Sequence, residues 1–395
     1  MRVAFYAPMK PPDHPIPSGD RQMARAFFDL FAGLGHRPEI ACRLRTFDAI
    51  GDGDRQRRLE RLGERAARLL VARFGRDPAH RPDLWFSYHL YDRAPDPIGW
   101  RVAELLDIPY LVAEASLAAS RAVGPWAVGH ALCLEALARS DAVLALTRRD
   151  LAGLRQSLGT DPRLLHFPPF LDLAPFAAAH AARQHHRAAT AAAHGVDPAR
   201  PWLLSVAMMR RRHKLASYRL LASALEALRD LSWHLFVVGD GDAQAAVRSA
   251  FAPVASCVTF TGALPSSALP ALYAACDLYL WPGFGEAFGM SYLEAQAAGL
   301  PVVALATDGV PEVVGDGEGG RLVRAPMPAA FADAVRALLA DPAARIELGE
   351  RGQQRVRRDH GTDAAASRLA QLLEAVTEAR HRSAGERGPR PWPGS

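Results

Sequence analysis

The sequence predicts an α/β protein made of two domains, each built around a parallel sheet. A chain of 395 residues is too long for one ordinary hydrophobic core and suits two domains of about 150–200 residues. In both halves, short apolar runs alternate with longer amphipathic stretches, which is the pattern of βαβ units and therefore of parallel strands. A proline-rich run at 167–176 separates the two halves.

The first half opens with a βαβ unit. Arg2–Tyr6 has the pattern of a buried strand, and a proline-rich loop follows it. A helix is expected from about Arg21 to Gly33, before a second strand near Pro38–Cys42. Further strands are expected at 83–88, 110–113 and 141–146, so we expect the first domain to span residues 1–175.

Residues 55–76 form a basic amphipathic pattern with two interpretations. Six apolar side chains are expected along one helix face: Leu59, Leu62, Ala66, Leu69, Leu70 and Phe74. This face can pack on the sheet and leave the arginines in solvent, or the helix can attach peripherally to an anionic membrane. The pattern alone does not distinguish these interpretations.

The second half has its own series of strands and helices. The alanine-rich stretch 176–200 is expected to be a linker helix, and strands are expected at Trp202–Met208 and His234–Val238. We expect the second domain to span 201–360 and a C-terminal helix to span 361–382. The remaining residues, 383–395, are rich in Gly, Pro and Arg and are expected to be disordered.

Composition excludes several classes of protein. No run of eighteen apolar residues and no signal-peptide pattern is present, so we expect a cytoplasmic protein. The four cysteines are far apart and are expected to be free thiols. The net charge of +5 comes from arginines without a nucleic-acid-binding pattern, so no nucleic-acid partner is expected.

The stretch 280–301 carries the strongest functional signal. A strand-like run ends in a glycine-rich turn, and an amphipathic helix follows until Gly299 and Pro301 stop it. A helix start presents free N–H groups and the positive end of the helix dipole, which favour an anion. Glu286 and Glu294 lie eight residues apart, up to about 12 Å along a helix axis. That reach suits two sugar rings on either side of a diphosphate.

The frame GFGEAFGMSYLEAQAAGLPVVA, with its two glutamates, resembles the signature of the retaining glycosyltransferases of family 4, the glycosyl transferases group 1. The resemblance implies the GT-B fold, in which two Rossmann-like domains have parallel sheets that face each other across a cleft. It implies an enzyme of the hexosyltransferase type, with a last helix that crosses back to the first domain. It is sharp over residues 202–323, and the first half matches in topology more than in residues.

The resemblance assigns roles to individual residues. Glu286 would hold the transferred sugar and Glu294 the ribose of the donor, while Gly19 would permit close backbone approach. The cations Arg210 and Lys214, among four that precede an apolar helix, would bind the donor diphosphate. The remaining donor contacts would be the N–H groups of Phe288, Gly289 and Met290, and the turns at Gly239 and Leu264 beside the nucleoside.

His89 is the candidate from the first half. It follows the strand at 83–88, and ligands collect at the carboxyl ends of strands in open α/β sheets. A structural role for a lone histidine is equally open. Glu114 ends the next strand, as an acceptor contact or as an acid at a helix start.

The sequence therefore predicts transfer of a sugar from a UDP- or GDP-sugar to an acceptor hydroxyl on a glycan, a lipid-linked molecule or a small molecule. No metal and no other cofactor is expected, because the Asp-x-Asp pattern at Asp240 and Asp242 reads as turn and cap chemistry. A sugar-nucleotide 2-epimerase of the same fold and a non-catalytic nucleotide-sugar-binding protein remain as alternatives.

Overall fold

The computed structural model describes residues 1–16 and 18–387, and the side chains to residue 382. The chain forms two compact units. Unit 1 comprises Met1–Pro169 together with the chain from Asp363 onward, and unit 2 comprises Phe170–Thr362. Each unit is an α/β sandwich with its own six-stranded sheet.

Unit 1 is a doubly wound parallel sheet with the strand order β2-β1-β3-β4-β5-β6. All neighbouring strands pair in parallel. Because β1 lies between β2 and β3, the chain reverses its direction of travel across the sheet there, and ligands collect at such a switch point. Its elements are β1 (Arg2–Tyr6), α1 (Gly19–Gly33), β2 (Arg37–Cys42), α2 (Gly53–Arg76), β3 (Leu84–Tyr91), α3 (Gly99–Leu106), β4 (Tyr110–Ser116), α4 (Ala127–Ala138), β5 (Ala142–Ala145), α5 (Arg148–Leu158) and β6 (Leu164–His166).

Unit 2 has the same architecture with the strand order β12-β11-β10-β7-β8-β9, again all parallel. Its switch point lies between β7 and β10. The helices and strands are α6 (Ala174–Ala181), α7 (Arg183–His194), β7 (Trp202–Val206), α8 (His213–Glu226), β8 (His234–Val238), α9 (Gln244–Ala250), β9 (Val258–Gly262), α10 (Leu269–Ala275), β10 (Leu278–Leu280), α11 (Met290–Ala297), β11 (Val302–Leu305), α12 (Val310–Val314), β12 (Gly320–Val323), α13 (Pro328–Ala340) and α14 (Pro342–His360), and α15 (Thr362–Arg387) leads back into unit 1.

The continuous apolar runs of the sequence are the central strands of each sheet. Every residue of β5, β8 and β11 is buried, as parallel strands covered by helices on both faces require. Aromatic rings pack on both sheets. In unit 1, the ring centres of Phe86 on β3 and Phe27 on α1 are 5.2 Å apart, and in unit 2 those of Trp202 and Phe236 on neighbouring strands are also 5.2 Å apart. The expected α/β class with two parallel sheets is confirmed.

The stretch 176–200 differs from the expected single linker helix. It contains two helices, α6 and α7, that belong to unit 2. The two arginines of α7 that face the sheet explain the difference: Arg183 and Arg187 both contact the carboxylate of Asp277, at 2.6 and 3.0 Å, and Trp202 N donates to the same group at 2.7 Å. These partly buried ion pairs fix α7 against the start of β7 and β10.

Helix α2 buries only part of the face that was expected: Phe74 is buried, and Ala66 and Leu70 pack against the core. Gln56, Gly63, Ala67 and Phe74 are its buried residues. Leu62 and Leu69, which belong to the expected apolar face, are 42% and 59% exposed. The outward face of α2 therefore combines leucines with arginines.

Helix α15 extends further than the sequence suggested. It continues to Arg387, so residues 383–387 are helical although they were expected to be disordered. The rest of that predicted tail, 388–395, lies outside the described residues. Within 1–16 and 18–387, no helix is long and apolar enough to cross a membrane.

Candidate functional site

The two loops at the switch point of unit 2 carry most of the predicted site residues. The loop after β7 leads through Arg210 to Lys214 in the first turn of α8, and the loop after β10 contains Glu286. Because β7 and β10 are neighbours in the sheet, their carboxyl ends place both loops side by side. The sequence signals that were 72 residues apart thus meet at one edge.

The loop between β10 and α11 is held by glycines in left-handed conformations. Gly283, Gly285 and Gly289 have φ angles of 81°, 67° and 78°. A Cβ atom at Gly283 would lie 2.0 Å from the hydroxyl of Tyr292, and one at Gly289 would lie 2.6 Å from its ring. Only glycine allows this backbone to lie against Tyr292. The glycine turn seen in the sequence therefore sets the position of Glu286.

Glu286 lies at the centre of a three-residue cluster. Its Oε1 atom accepts hydrogen bonds from Lys214 Nζ and, at 2.8 Å, from Trp281 Nε1. The side chains of Glu286 and Lys214 are 16% and 28% exposed, so the ion pair is shielded but open to a ligand. The structure thus joins two of the predicted catalytic residues directly.

The start of α11, beside this cluster, has backbone donors that find no acceptor in the described part of the chain. The first hydrogen bond of the helix runs from Tyr292 N to Gly289 O at 3.1 Å, so the N–H groups of Phe288, Gly289 and Met290 precede the helical ladder. The side chains of Phe288 and Met290 are buried and keep this turn in place. The arrangement favours an anion at the helix start.

Glu294 lies on α11 and is buried. Its side chain is 7% exposed, and its Oε2 atom accepts a hydrogen bond from the hydroxyl of Tyr273 at 2.9 Å. The Tyr273 hydroxyl, a donor from α10, therefore helps to fix this carboxylate. A buried carboxylate held in this way is preorganised for further hydroxyl donors.

The cations before α8 differ in their surroundings. Arg211 pairs with Asp242 at 3.3 Å, and Arg212 has a φ angle of 63°. Arg210 is exposed and makes no ion pair with any residue in the described part of the chain. Lys214, in contrast, is anchored by Glu286.

The predicted nucleoside contacts lie on the other side of β7. Gly239 follows β8 with a φ of 136°, and a Cβ atom there would lie 2.0 Å from the carbonyl oxygen of Ala207. The turn after β8 is therefore packed directly onto the loop after β7. Leu264 is half-buried in the loop that follows β9, the neighbour of β8.

Unit 1 brings His89 together with two carboxylates. His89 Nδ1 lies 3.2 Å from Asp20 Oδ1 and 3.7 Å from Glu114 Oε1, and the hydroxyl of Tyr88 donates to Glu114. His89 and Glu114 lie opposite each other on β3 and β4, and both have left-handed backbone conformations, with φ angles of 63° and 55°. Non-glycine residues in this region concentrate at functional sites.

This acid–imidazole cluster changes the ionisation of its members. Burial would lower the pKa of His89, but the carboxylates of Glu114 and Asp20 offset it and raise that pKa to about 9. Burial raises the pKa of Glu114 to about 7. The three ligand atoms lie within 4.8 Å of one another, close enough to share a proton or a cation.

Gly19 faces open space rather than a protein neighbour, so its close approach to a donor or acceptor stays a prediction. It begins α1 next to Asp20 and is exposed, and a Cβ atom there would meet nothing within 4 Å. The backbone therefore does not require glycine at this position. The loop before α1 is held by Lys10, whose Nζ donates to the N-capping hydroxyl of Ser18 at 2.9 Å.

Known proteins establish the family. A family model described as Glycosyl transferases group 1 matches residues 200–341. The chain is 31% identical over 319 residues to a protein from Xylanimonas cellulosilytica named D-inositol 3-phosphate glycosyltransferase, and the alignment covers 77% of this chain and 76% of that relative. The chain belongs to the group 1 glycosyltransferases. It is thus an enzyme of the hexosyltransferase type, as the sequence predicted.

Solved structures show which fold this chain shares with known proteins. A sucrose-phosphate synthase from Thermosynechococcus elongatus superposes with a TM-score of 0.73 at 21% identity, over 96% of this chain and 99% of that chain. Anabaena HepE in complex with UDP-glucose gives a TM-score of 0.68 at 17% identity, over 95% and 100%. This group 1 glycosyltransferase therefore has the GT-B fold.

Sequence reasoning missed the residues that support Glu286. Three side chains hold the loop after β10: Trp281, Tyr292 and Ser217. The hydroxyl of Ser217 accepts a hydrogen bond from Phe284 N at 3.0 Å. Asp20 was missed as well. The one available signal was the placement of Trp281 directly before the glycine turn, where an apolar strand ends.

Proposed function

We propose that this glycosyltransferase transfers a sugar from a UDP- or GDP-sugar to an acceptor hydroxyl with retention of the anomeric configuration. The contact between Lys214 and Glu286 at the switch point of unit 2 is the observation that carries the proposal. In this proposal, Lys214 is the cation for the diphosphate and the neighbouring Glu286 is the carboxylate for the sugar hydroxyls. The UDP-glucose bound to Anabaena HepE, a protein of the same fold, supports this donor class.

The proposed chemistry places most of the charge stabilisation on the leaving group. The bond between the anomeric carbon and the diphosphate oxygen breaks, and negative charge develops on that oxygen. Lys214, Arg210 and the N–H groups at 288–290 stabilise it, while Glu294 holds the ribose. The acceptor oxygen bonds to the anomeric carbon from the same face, and its proton passes to the leaving phosphate.

We propose that this donor site needs no metal. Lys214 and the start of α11 supply positive charge to the diphosphate, the part that a divalent cation takes in other enzymes. The nucleoside would lie between the turns at Gly239 and Leu264. These assignments predict selectivity for a nucleoside diphosphate over free sugar.

Thermal unfolding with a panel of UDP- and GDP-sugars, measured with and without EDTA, tests the donor. A ligand that binds only the folded protein raises the melting temperature, because it stabilises the folded state. The free energy of unfolding increases by about 2.7 kcal/mol when the ligand concentration is one hundred times its Kd. We expect one nucleotide sugar to raise it selectively. No shift with any of them would overturn the donor assignment, and a shift that EDTA abolishes would overturn metal independence.

Product analysis then separates transfer from the two alternative functions. Release of UDP or GDP only when acceptors are supplied would establish transfer, and inositol 3-phosphate belongs in the panel because of the relative's name. A mass-neutral change of the donor would indicate an epimerase instead. Binding without any turnover would indicate a non-catalytic protein.

We also propose that α2 contacts the cytoplasmic face of an anionic membrane. Eight arginines and three acidic residues give this helix a net charge of +5, equal to that of the entire chain. Arg58, Arg61, Arg65 and Arg73 are exposed and form no ion pair with any residue that the structure describes. Leu62 and Leu69 are exposed among them. Cations around exposed leucines are what binding to anionic lipid requires.

Sedimentation with lipid vesicles tests this contact. We expect binding to vesicles that contain phosphatidylglycerol and little binding to phosphatidylcholine alone. The combined variant R61Q/R65Q/L69S should bind at least about tenfold more weakly, since each arginine near the surface contributes about 1 kcal/mol.

The matched control is I346S/R351Q/R357Q, which removes one exposed aliphatic side chain and two exposed arginines from α14 in unit 2. It should bind like the wild type. Equal losses in the two variants would show that only overall charge matters and would overturn the role of α2.

A further inference from the structure

Trp281 occupies the junction between β10 and the glycine turn. Its side chain is fully buried, yet its Nε1–H points at the site and donates to Glu286 Oε1 at 2.8 Å. A buried indole N–H usually finds a hydrogen-bond partner. Here the partner is a partly exposed carboxylate, five residues further along the chain.

Both hydrogen bonds to Glu286 end on the same oxygen. Lys214 Nζ and Trp281 Nε1 donate to Oε1, and no residue in the described part of the chain donates to Oε2. A carboxylate has about four lone-pair sites, so the free oxygen can still accept two hydroxyl donors. The carboxylate is therefore held at one end and presented at the other.

The two donors differ in rigidity. Lys214 has a flexible four-carbon stem, and the lysine is also the expected partner of the diphosphate. The Trp281 indole is fixed because Tyr218 packs edge-on against it, with ring centres 4.8 Å apart. Tyr218 is itself anchored by a hydrogen bond from its hydroxyl to Ala207 O at 2.7 Å. The indole keeps its place when Lys214 turns toward a ligand.

We propose that Trp281 is a positioning residue for sugar recognition: it fixes Glu286 through Oε1 so that Oε2 accepts the hydroxyls of the transferred sugar. This inference rests on the proposed function, because it takes Glu286 as the sugar-binding carboxylate. It predicts that the indole N–H matters for the sugar and not for the nucleotide.

The test compares UDP with UDP-glucose, or with whichever nucleotide sugar the thermal panel selects, by calorimetry on W281F. The variant keeps most of the buried ring and removes the N–H donor. We expect an unchanged Kd for the nucleoside diphosphate, within about twofold, and a Kd for the nucleotide sugar that is about tenfold higher, as for a lost hydrogen bond to a charged group.

W233F is the matched control. Trp233 is equally buried in unit 2 and donates to Leu228 O at 2.8 Å, so its replacement costs similar packing and one similar hydrogen bond. It should leave both Kd values unchanged. A W281F protein with the same sugar preference as the wild type, or one that loses both ligands equally, would overturn the proposal.

A ligand-free measurement separates this proposal from the proposed function. The indole resonance of Trp281, assigned by its absence in W281F, should shift in an E286A variant while that of Trp233 stays in place. If the wild type binds no nucleotide sugar, the proposed function fails, and a shifted resonance would still establish the contact. If the Trp281 resonance does not move in E286A, the contact between Trp281 and Glu286 is absent and the positioning role of Trp281 is overturned.

Discussion

This chain contains only two lysines, and one of them contacts Glu286. Only Lys10 and Lys214 are lysines among 47 basic residues. Lysine is a compact charge with three donors, whereas arginine presents a wide planar fork. An arginine at 214 would have to fit that fork between Glu286 and the indole of Trp281, whose ring centre lies 5.4 Å from Nζ. Charge alone is therefore not sufficient at this position.

Replacement of Lys214 by arginine tests this requirement. We expect K214R to retain the fold and lose about tenfold in kcat/KM, and K214Q to lose about a hundredfold, because the positive charge on the leaving group is then missing. Steady-state kinetics with the selected donor measures both. R219K, on the exposed side of the same helix, is the control and should behave like the wild type. Wild-type kinetics in K214R would show that any cation suffices.

Protonation of His89 should stabilise unit 1. Its pKa of about 9 lies above the value of about 6.5 for an unfolded chain, so the contribution is complete below pH 6.5 and is lost as the pH rises through 9. We expect H89Q to be less stable than the wild type by on the order of 2 kcal/mol at pH 6, with the difference vanishing above pH 9. Denaturant unfolding at several pH values measures this. A difference that does not change with pH would contradict it.

The residues of the site were predictable only where a local motif carries them. Glu286 and Lys214 follow from the glycine frame and the cation cluster. The cluster around His89 depends on left-handed backbone at His89 and Glu114, two non-glycine residues. No residue type announces that conformation, so the sequence indicated His89 and Glu114 separately and gave no reason to bring Asp20 to them.

At the scale of elements, α2 shows why periodicity alone misplaces a helix face. Phe74 and Leu70 of the expected face pack on the core, but Leu62 and Leu69 are exposed, and the small residues Gly63 and Ala67 are buried. A Cβ atom at Gly63 would lie 2.3 Å from Pro97 Cγ, so the glycine allows the helix to approach the loop before α3. How closely a helix approaches depends on the element that it packs against, and the hydrophobic period of the helix carries no information about that element. Strand positions, in contrast, followed from their apolar runs.

A pair of glycine substitutions tests this packing. G63A should destabilise the protein by about 2 kcal/mol or more, since the added methyl group overlaps Pro97 in a closed contact. G153A, also inside a helix, is the control: the nearest atom to its Cβ would be Leu117 O at 3.8 Å. That variant should gain up to about 1 kcal/mol from better helix propensity. Equal effects in thermal unfolding would contradict the close approach.

At the scale of the molecule, the two sheets repeat one arrangement. Each places its first strand inside the sheet, so that the loops after that strand and its later neighbour meet at the switch point. The sequence predicted parallel sheets because strands and helices alternate. It did not predict strand order, because the apolar runs of β1 and β3 do not indicate which strands they pair with.

The return of the chain to unit 1 depends on contacts between residues that are far apart in the sequence. Arg380 of α15 binds Asp141 through two nitrogens, at 3.0 and 3.2 Å, and reaches Asp107 at 3.3 Å. The same Asp141 carboxylate accepts from Tyr110 N at 2.8 Å, at the start of β4. One arginine thus ties the last helix to the central strands of unit 1.

Hydrogen exchange should reveal this connection. In R380A, we expect amides of β4, β5 and α15 to exchange about fivefold faster, which corresponds to about 1 kcal/mol of lost local stability for a bidentate pair. Amides between 202 and 360 should keep their wild-type rates, because their core belongs to unit 2. R382A, which removes an exposed pair with Glu378 on the same helix, is the control and should change little. Acceleration confined to α15 would mean that Arg380 stabilises its helix without anchoring it to the sheet.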